Sequence, residues 1–340
     1  MKRFFIGIDF SKLKFDAALF DGDANRLLSS STFENNETGF KEMMKWIKTV
    51  TKSDSKEWLF CGEHTGLYCL AMSKFMLKKG CDLWLEPGLR IKYSQGMTRG
   101  KSDKADAIQI ADYAFRHQDK AVSYQGLDPI LEQVKDLMAY RNRLIESKKS
   151  LEVASKEIMR VKGTDPTVNY IYNDSQKMIQ SLIDSIKSVE LKIHDLIHQD
   201  ASISENYNIL TSIKGIGMVN AVLVLIFTGN FTLFTDARKF GCYCGVVPFE
   251  HTSGTSVRGR NKISHLANKS VKTSLTQAAR TAAMHDPVLK QYYQRKKLEG
   301  KPDRLIINNI RNKMIHTMFA LIKSRQKYES NYHHPLQTAA

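Results

Sequence analysis

The stretch Phe4-Phe5-Ile6-Gly7-Ile8-Asp9 decides the fold, because it is an almost unbroken apolar run that ends on a carboxylate. Such a run predicts a central strand buried on both faces. Residues 15–20 predict a second strand, Asp21-Gly22 a hairpin turn, and residues 27–33 a third strand. An aspartate among buried strand residues is costly unless it is paired or binds a metal.

The residues that follow change from strands to alternating helices and strands. The apolar spacing predicts helices over 36–50, 66–79 and 103–116, and strands over 58–61 and 82–85. Three strands followed by alternating helix and strand is the element order of a ribonuclease-H-like domain. We therefore expect an α/β domain over residues 1–120.

Four carboxylates stand at the positions where this order would bring them together. Asp9 lies in the first strand, Glu63 follows the fourth strand, and Asp103 and Asp106 open a helix and share one face of it. Carboxylates gathered in this way repel one another unless a divalent cation lies between them, and a pair of Mg²⁺ ions is a standard device for phosphoryl transfer. Taken singly, Asp103 could be a helix N-cap and Asp106 a solvated residue.

Cations surround this acidic turn. Arg99, Lys101 and Lys104 flank Asp103 and Asp106, which fits a phosphate backbone brought to a metal. Charge balance among neighbours is the alternative.

The segment 127–200 has a different pattern, with apolar residues at alternating spacings of three and four. These heptads predict two long helices joined near residues 162–168, with the polar residues Arg141 and Lys148 in the first seam. An intramolecular hairpin and a dimerisation arm both fit the pattern, and an oligomeric role is favoured. The seam positions are Ile130, Val134, Leu137, Arg141, Leu144, Lys148, Leu151, Ile179, Leu182, Ile186, Val189, Ile193 and Leu196.

Residues 205–340 predict a mostly helical and strongly basic region. Of the net charge of +16, about +14 falls within 255–328, where 17 Lys and Arg face three acids. Such an excess favours a polyanionic partner. The turn containing Lys214, Gly215 and Gly217 resembles that of a helix-hairpin-helix, in which backbone N–H groups approach phosphate, although a plain helix corner explains the glycines as well.

A loop further along combines a hydroxyl, a glycine and cations. Ser253 precedes Gly254, and Arg258, Arg260 and Lys262 follow as candidate phosphate ligands. A serine here could attack phosphorus if a base or a metal activated it. Judged by spacing alone, an ordinary polar loop is the better interpretation.

The five cysteines have the scattered spacing of free thiols, which indicates a reducing cytosol. Cys242 and Cys244 are too close together for the usual zinc site, and buried packing is the better interpretation. No apolar run approaches the length of a membrane span, so neither secretion nor membrane insertion is expected.

In their order along the chain, these motifs resemble the DEDD-type transposases of bacterial insertion sequences, which are relatives of the pilin-gene invertases. The resemblance rests on Ile6 to Asp9, Glu63, Lys101 to Ala107, the turn at Ile213 to Gly217, and Gly245 to Pro248 leading to Ser253-Gly254. It spans about residues 3–285.

This resemblance implies a RuvC-like N-terminal domain, a coiled-coil arm and a C-terminal transposase domain with a nucleophilic serine. It implies that Asp9, Glu63, Asp103 and Asp106 form the metal-binding set and that Ser253 is the nucleophile. Many relatives have Ser-Ser-Gly where this chain has Thr252-Ser253-Gly254, which favours Ser253 as the nucleophile, with Ser256 as the alternative. Family members join an excised circular element to target DNA, with donor and target specified by a structured non-coding RNA.

The residues and the resemblance together predict a Mg²⁺-dependent, site-specific DNA recombinase that forms a phosphoserine intermediate. We expect domains at 1–120, 121–204 and 205–340, assembly into a homo-oligomer (dimer or tetramer), and a place in the bacterial cytoplasm at the nucleoid. One alternative is a RuvC-like nuclease or resolvase that uses water as the nucleophile. Another is an inactive nucleic-acid scaffold in which the acids are structural.

Overall fold

The computed structural model describes residues 2–94, 103–163, 165–248, 252–253, 257–258, 263 and 267–330, with the backbone alone at 103, 252, 253, 257 and 258. The chain forms two compact units, residues 1–126 and 127–340. In the described part, the chain is mostly helical with one mixed five-stranded sheet near the N-terminus. The three-domain division at residues 120 and 204 stays a prediction.

The first unit is built on that sheet, whose strand order is β3-β2-β1-β4-β5. β1 pairs antiparallel with β2 and parallel with β4, β2 pairs antiparallel with β3, and β4 pairs parallel with β5. The predicted strands and helices of this region are confirmed, and one helix that was not predicted, at residues 88–94, is added to them. They are β1 (Phe4–Phe10), β2 (Lys14–Asp21), β3 (Arg26–Glu34), α1 (Glu37–Thr51), β4 (Trp58–Glu63), α2 (Leu67–Lys79), β5 (Leu83–Glu86), α3 (Gly88–Ser94) and α4 (Asp103–Arg116).

The two faces of the sheet bury different residues, because successive side chains of a strand alternate in direction. Ile6 and Ile8 of β1 belong to the core cluster that includes residues of α1 and α2. Phe5 belongs to the opposite cluster, with Ala107 and Ala111 of α4. The odd-numbered positions of β1 therefore face α4.

Gly7 allows α4 to lie directly on β1. A Cβ atom added at Gly7 would stand 2.2 Å from the carbonyl oxygen of Ala107 and 2.3 Å from the amide nitrogen of Ala111. Backbone meets backbone here, so no side-chain rotation could make room for it. Glycine at position 7 thus fixes the start of α4 against the middle of β1.

The described residues of the second unit form helices and one short hairpin. Its elements are α5 (Pro129–Lys162), α6 (Pro166–Ile197), α7 (Ala201–Ser212), α8 (Met218–Thr228), α9 (Ala237–Tyr243), β6 (Thr252–Ser253), β7 (Val257–Arg258), α10 (Lys269–His285), α11 (Pro287–Leu298) and α12 (Asp303–Ser324). One large core joins residues of α5, α6, α7, α8, α10 and α12, including Leu131, Ile193, Leu210, Leu225 and Met314.

The two long helices predicted from the heptads are confirmed, and they pack on each other within the chain. Val134 of α5 and Val189 and Ile193 of α6 are buried, as the seam predicts. Arg141 forms a salt bridge of 2.7 Å across the pair with Glu190, which explains a cation in an apolar seam. Lys148 pairs with Glu152 one turn along its own helix.

The cysteines also match the prediction. All five are free thiols, and Cys61, Cys69, Cys81 and Cys244 are buried. Within the described ranges, no helix has the length and apolar character that crossing a membrane requires.

Candidate functional site

Two of the predicted carboxylates lie side by side at one end of the sheet. Ile8 of β1 is paired with Gly62 of β4, so Asp9 and Glu63 occupy the next positions on these parallel strands. Asp9 shares the face of Phe5 and Gly7, and Glu63 shares the face of Cys61, which belongs to the α4 cluster. Both acids therefore lie on the side covered by α4, at the carboxyl ends of parallel strands, where α/β sheets commonly bind ligands.

The strand register adds two acids that the sequence analysis missed. Asp16 of β2 is paired with Asp9, and Glu86 of β5 is paired with Glu63. Both are buried, with exposures of 6% and 4%. Four strands thus contribute a row of acids in the order Asp16, Asp9, Glu63 and Glu86. A sequence signal existed, since each ends or interrupts an apolar strand, but the pairing that aligns them is long-range.

The two added acids have partners of their own. Glu86 accepts a hydrogen bond of 3.0 Å from Arg90, and Asp16 accepts one from the hydroxyl of Thr32. Burial raises the pKa of the Cys61 thiol, and the charge of Glu86 raises that pKa further. Glu86 therefore contributes negative potential to the α4 face of the sheet.

The remaining two predicted acids lie on α4. The helix begins at Asp103, whose side chain is outside the described part of the structure, and Asp106 is half-buried one turn later. Asp106 directly precedes Ala107, whose carbonyl faces Gly7 of β1. The contact at Gly7 therefore brings the first turn of α4 to the strand that ends on Asp9.

These acids have the donor chemistry of a Mg²⁺ site, because hard divalent cations prefer carboxylate oxygens. The hydroxyl of Thr65, two residues beyond Glu63, is buried without a hydrogen-bond partner among the described residues. This end of the sheet therefore has a polar group that could bond to a ligand. Among the described side chains, which exclude Asp103, no three His, Cys, Asp or Glu residues lie close enough together to hold a metal ion. The strand acids fit Mg²⁺ because they are carboxylates and because they lie at the same end of the sheet.

Of the flanking cations, only Lys104 falls within the described residues, and it is exposed on the first turn of α4. Arg99 and Lys101 lie outside them, as do Arg260 and Lys262 of the later loop.

The predicted glycine turn lies between α7 and α8. Gly215 has φ +92°, and a Cβ there would stand 2.4 Å from the carbonyl of Ala278, so packing against α10 alone requires this glycine. Gly217 is different, because nothing lies within 4 Å of an added Cβ and it begins α8 without a side-chain cap. With exposed Lys214, it leaves open backbone N–H groups that an anion could approach.

Ser253 lies on a two-stranded hairpin of the second unit. Ser253 is paired with Val257, and Thr252 is paired with Arg258. Residues 254–256, including the alternative nucleophile Ser256, form the connection and lie outside the described residues. The backbone of Arg258 therefore lies next to Val257, the residue that is paired with Ser253.

A basic groove of about 810 Å³ lies between α11 and α12. Its walls include Tyr292, Arg295, Lys313 and His316, and no acid is among the described residues that line it. The Lys313 ammonium lies 4.9 Å from the centre of the Tyr292 ring and the Arg295 guanidinium lies 5.6 Å from it. Aromatic rings beside cations are typical of surfaces that bind single-stranded nucleic acid.

Known proteins resemble this chain over nearly its whole length. A DEDD transposase family model matches residues 6–160, and the model of the transposase IS116/IS110/IS902 family matches residues 207–294. The pilin gene-inverting proteins of Moraxella bovis and Moraxella lacunata are each 25% identical over 98% of this chain and 100% of their own length. The insertion element IS900 protein of Mycobacterium paratuberculosis is 21% identical over 98% of both chains.

The first of these models covers the strand and helix that carry the acids, and the second begins in α7 and ends in α11, with the Ser253 hairpin between. The chain is a DNA transposase and belongs to the IS116/IS110/IS902 family of DEDD transposases.

Proposed function

We propose that this transposase cleaves and exchanges DNA strands at specific sites in a Mg²⁺-dependent reaction that passes through a phosphoserine. The observation that carries the proposal is the alignment of Asp9 and Glu63 on neighbouring parallel strands, with the first turn of α4 held against β1 at Gly7. This arrangement supports a shared site for carboxylates that come from three separate segments of the chain.

The proposed fold of residues 1–120 is RuvC-like. The strand order β3-β2-β1-β4-β5, with β2 antiparallel to its neighbours, supports this proposal. In such a domain, Asp9, Glu63, Asp103 and Asp106 would hold Mg²⁺. When bound, the ions supply Lewis-acid stabilisation of the charge that develops on the phosphoryl oxygens.

Ser253 is the proposed nucleophile. Its Oγ forms a bond to phosphorus, the bond from phosphorus to one deoxyribose oxygen breaks, and the serine proton passes to a base while the leaving oxygen gains a proton. The phosphoserine ester keeps the energy of the broken bond, so a second deoxyribose hydroxyl can displace serine and join the exchanged strands. The hairpin supports this role, because it brings the backbone of Arg258 to the position paired with Thr252, the neighbour of Ser253.

The proposed partners are donor and target DNA, together with a structured non-coding RNA that specifies them. The open backbone at Gly217, the exposed Lys214 and the groove at Tyr292 support a nucleic-acid surface on residues 205–340. The remaining members of the predicted set, Gly215, Arg260 and Lys262, stay predictions, as do Arg99, Lys101 and Lys104.

A homo-oligomeric assembly through α5 and α6 is also proposed, with residues 121–204 as a coiled-coil arm. Apolar side chains stay exposed around the junction of the two helices, with Val161 70% and Tyr170 71% exposed. Exposed apolar residues grouped in this way favour a protein partner, here a second copy of the chain. We place the assembly in the bacterial cytoplasm at the nucleoid.

The experiment that tests the proposal compares Ser253→Ala with the unmodified chain and with Asp9→Asn. A labelled DNA junction of the element is incubated with each protein and Mg²⁺, and a denaturing gel detects protein bound covalently to DNA. We expect an adduct only with the unmodified chain, and retained DNA binding in both variants. Strand cleavage by Ser253→Ala at the normal rate would instead assign the reaction to water, as in a RuvC-like nuclease.

A further inference from the structure

Two cations lie close together in the second unit, and neither has an acidic partner in the part of the chain that the structure describes. Arg311 of α12 is 8% exposed, and Lys272 of α10 is half-buried. Among the described residues, neither forms a salt bridge, and burial lowers the pKa of both groups. The positive charge of Arg311 lowers the pKa of Lys272 further. Such a pair is unfavourable in the protein alone, because burial and mutual repulsion both act against the charges.

Neutral groups hold the Arg311 side chain in place. One terminal nitrogen donates a hydrogen bond of 2.9 Å to the hydroxyl of Thr276, and the other donates one of 2.6 Å to Oδ1 of Asn308. Nε is buried without a partner among the described residues. A guanidinium has five N–H donors, so Arg311 has donors to spare, and no described carboxylate balances its charge.

The pair lies beside the segment that leads to the Ser253 hairpin. Asn308 donates a hydrogen bond of 3.0 Å to the carbonyl oxygen of Val246, so the Arg311 network extends to this segment. An added Cβ at Gly245 would lie 3.8 Å from Cδ of Lys272. The start of α10 is fixed by Asn268, whose amide donates to the Tyr243 hydroxyl at 3.0 Å.

These contacts place two uncompensated cations where the chain enters the hairpin. A buried charge needs an opposite charge, and Arg and Lys together favour phosphate. An anion from outside the chain would relieve both the burial and the repulsion. In an enzyme that acts on DNA, the anion of matching chemistry is a backbone phosphate.

We propose that Lys272 and Arg311 form a phosphate-binding site at the base of the Ser253 hairpin, which binds a backbone phosphate of the DNA substrate. Lys272 contacts the phosphate, and Arg311 supplies charge while it holds Asn308 and, through it, Val246. The proposal rests on the proposed function in that it takes a phosphodiester as the ligand. It does not require Ser253 to be the nucleophile.

The test is the salt dependence of DNA binding by the full chain carrying Ser253→Ala, which separates binding from chemistry. Affinity for a labelled duplex containing the element junction is measured across a range of salt concentrations, with and without RNA transcribed from the non-coding flank of the element. Lys272→Gln should reduce the slope of log affinity against log salt by about 1, as expected for one lost phosphate contact. The affinity lost between about 50 and 200 mM salt should then be about 3.5-fold smaller.

Lys272→Arg should keep the original slope, and Lys192→Gln is the matched control, because Lys192 is an exposed lysine on α6. Arg311→Gln should also lower the slope. If that variant fails to fold, Arg311→Lys tests the same point, since it keeps the charge and should keep the slope. Melting temperatures of all variants show whether each is folded.

The outcomes separate this proposal from the preceding one. An unchanged slope in Lys272→Gln overturns the phosphate site, whether or not the unmodified chain forms an adduct. A reduced slope together with no adduct from the unmodified chain supports the phosphate site and rejects the phosphoserine.

Discussion

Replacing Gly7 with alanine should separate α4 from the sheet and disable the acidic edge. The new methyl group would meet the carbonyl of Ala107 at 2.2 Å and the amide nitrogen of Ala111 at 2.3 Å. Carbon and oxygen atoms normally stay about 3.3 Å apart even in close contacts, so the helix must retreat by about 1 Å. Asp106 lies next to Ala107 and must move with it.

The size of the effect follows from these distances. Overpacking a core costs about 1–3 kcal/mol, and a clash between two backbones belongs at the upper end, about 3 kcal/mol. For a unit of this size that cost lowers the melting temperature by roughly 12 °C. A displacement of about 1 Å at a catalytic group can lower a rate about 100-fold, so strand cleavage should nearly cease.

Scanning calorimetry measures the stability part, as the shift in melting temperature between the variant and the unmodified chain. Gly217→Ala is the matched control for stability, since an added Cβ there meets nothing within 4 Å at φ −96°. It should cost less than about 1 kcal/mol, the scale of a changed helix cap. Cleavage of a labelled junction measures the activity part. If Gly7→Ala melts within about 2 °C of the unmodified chain, a shift far below that scale, α4 does not rest on β1 through this glycine.

Two further changes test the packing of each unit. Glu190→Ala removes the partner of Arg141, whose side chain is only 14% exposed, and should lower the free energy of unfolding by about 2 kcal/mol. Glu146→Ala, which changes an exposed glutamate on α5, should lower it by almost nothing. Equal losses in the two variants would show that the ion pair adds no stability. Burial raises the pKa of Asp21, but hydrogen bonds, including one from Arg3, lower it, and the net shift is downward. Arg3→Gln removes the hydrogen bond from Arg3. A carboxylate with a lowered pKa stabilises the fold at pH values above its unfolded pKa, near 3.8, and this stabilisation is lost as the pH falls. Arg3→Gln should therefore begin to unfold in acid at a higher pH than the unmodified chain.

The helices and strands could be predicted because their signals are local. The apolar run of β1, the heptads of α5 and α6 and the breaks near residue 163 each involve neighbours in the sequence. The acids on β1, β4 and α4 could be predicted as a set because the order of strands and helices is that of a ribonuclease-H-like domain. In the structure, Asp9 and Glu63 follow the paired residues Ile8 and Gly62, and their role as metal ligands stays a prediction.

Other features depend on pairings that no local pattern encodes. Glu86 matters because the register of β4 and β5 places it beside Glu63, and a shift of one residue would turn it to the other face. Arg311 lies in a helix with several cations, and only the packing of α10 and α12 shows that it is buried. The sequence shows Gly7 only as one residue of a buried strand, whereas in the structure it allows the close approach of Ala107.

Two different features set the positions of the predicted acids. Strand register aligns Asp9 with Glu63, and it is set by hydrogen bonds along whole strands, so one side-chain change cannot alter it. The approach of α4 to β1 depends instead on the absence of a side chain at Gly7, where an added Cβ would push the helix away. The strand acids are therefore placed by register, whereas the position of Asp106 depends on how closely α4 packs at Gly7. Gly7 should consequently tolerate substitution no better than the carboxylates themselves, although it carries no chemical group.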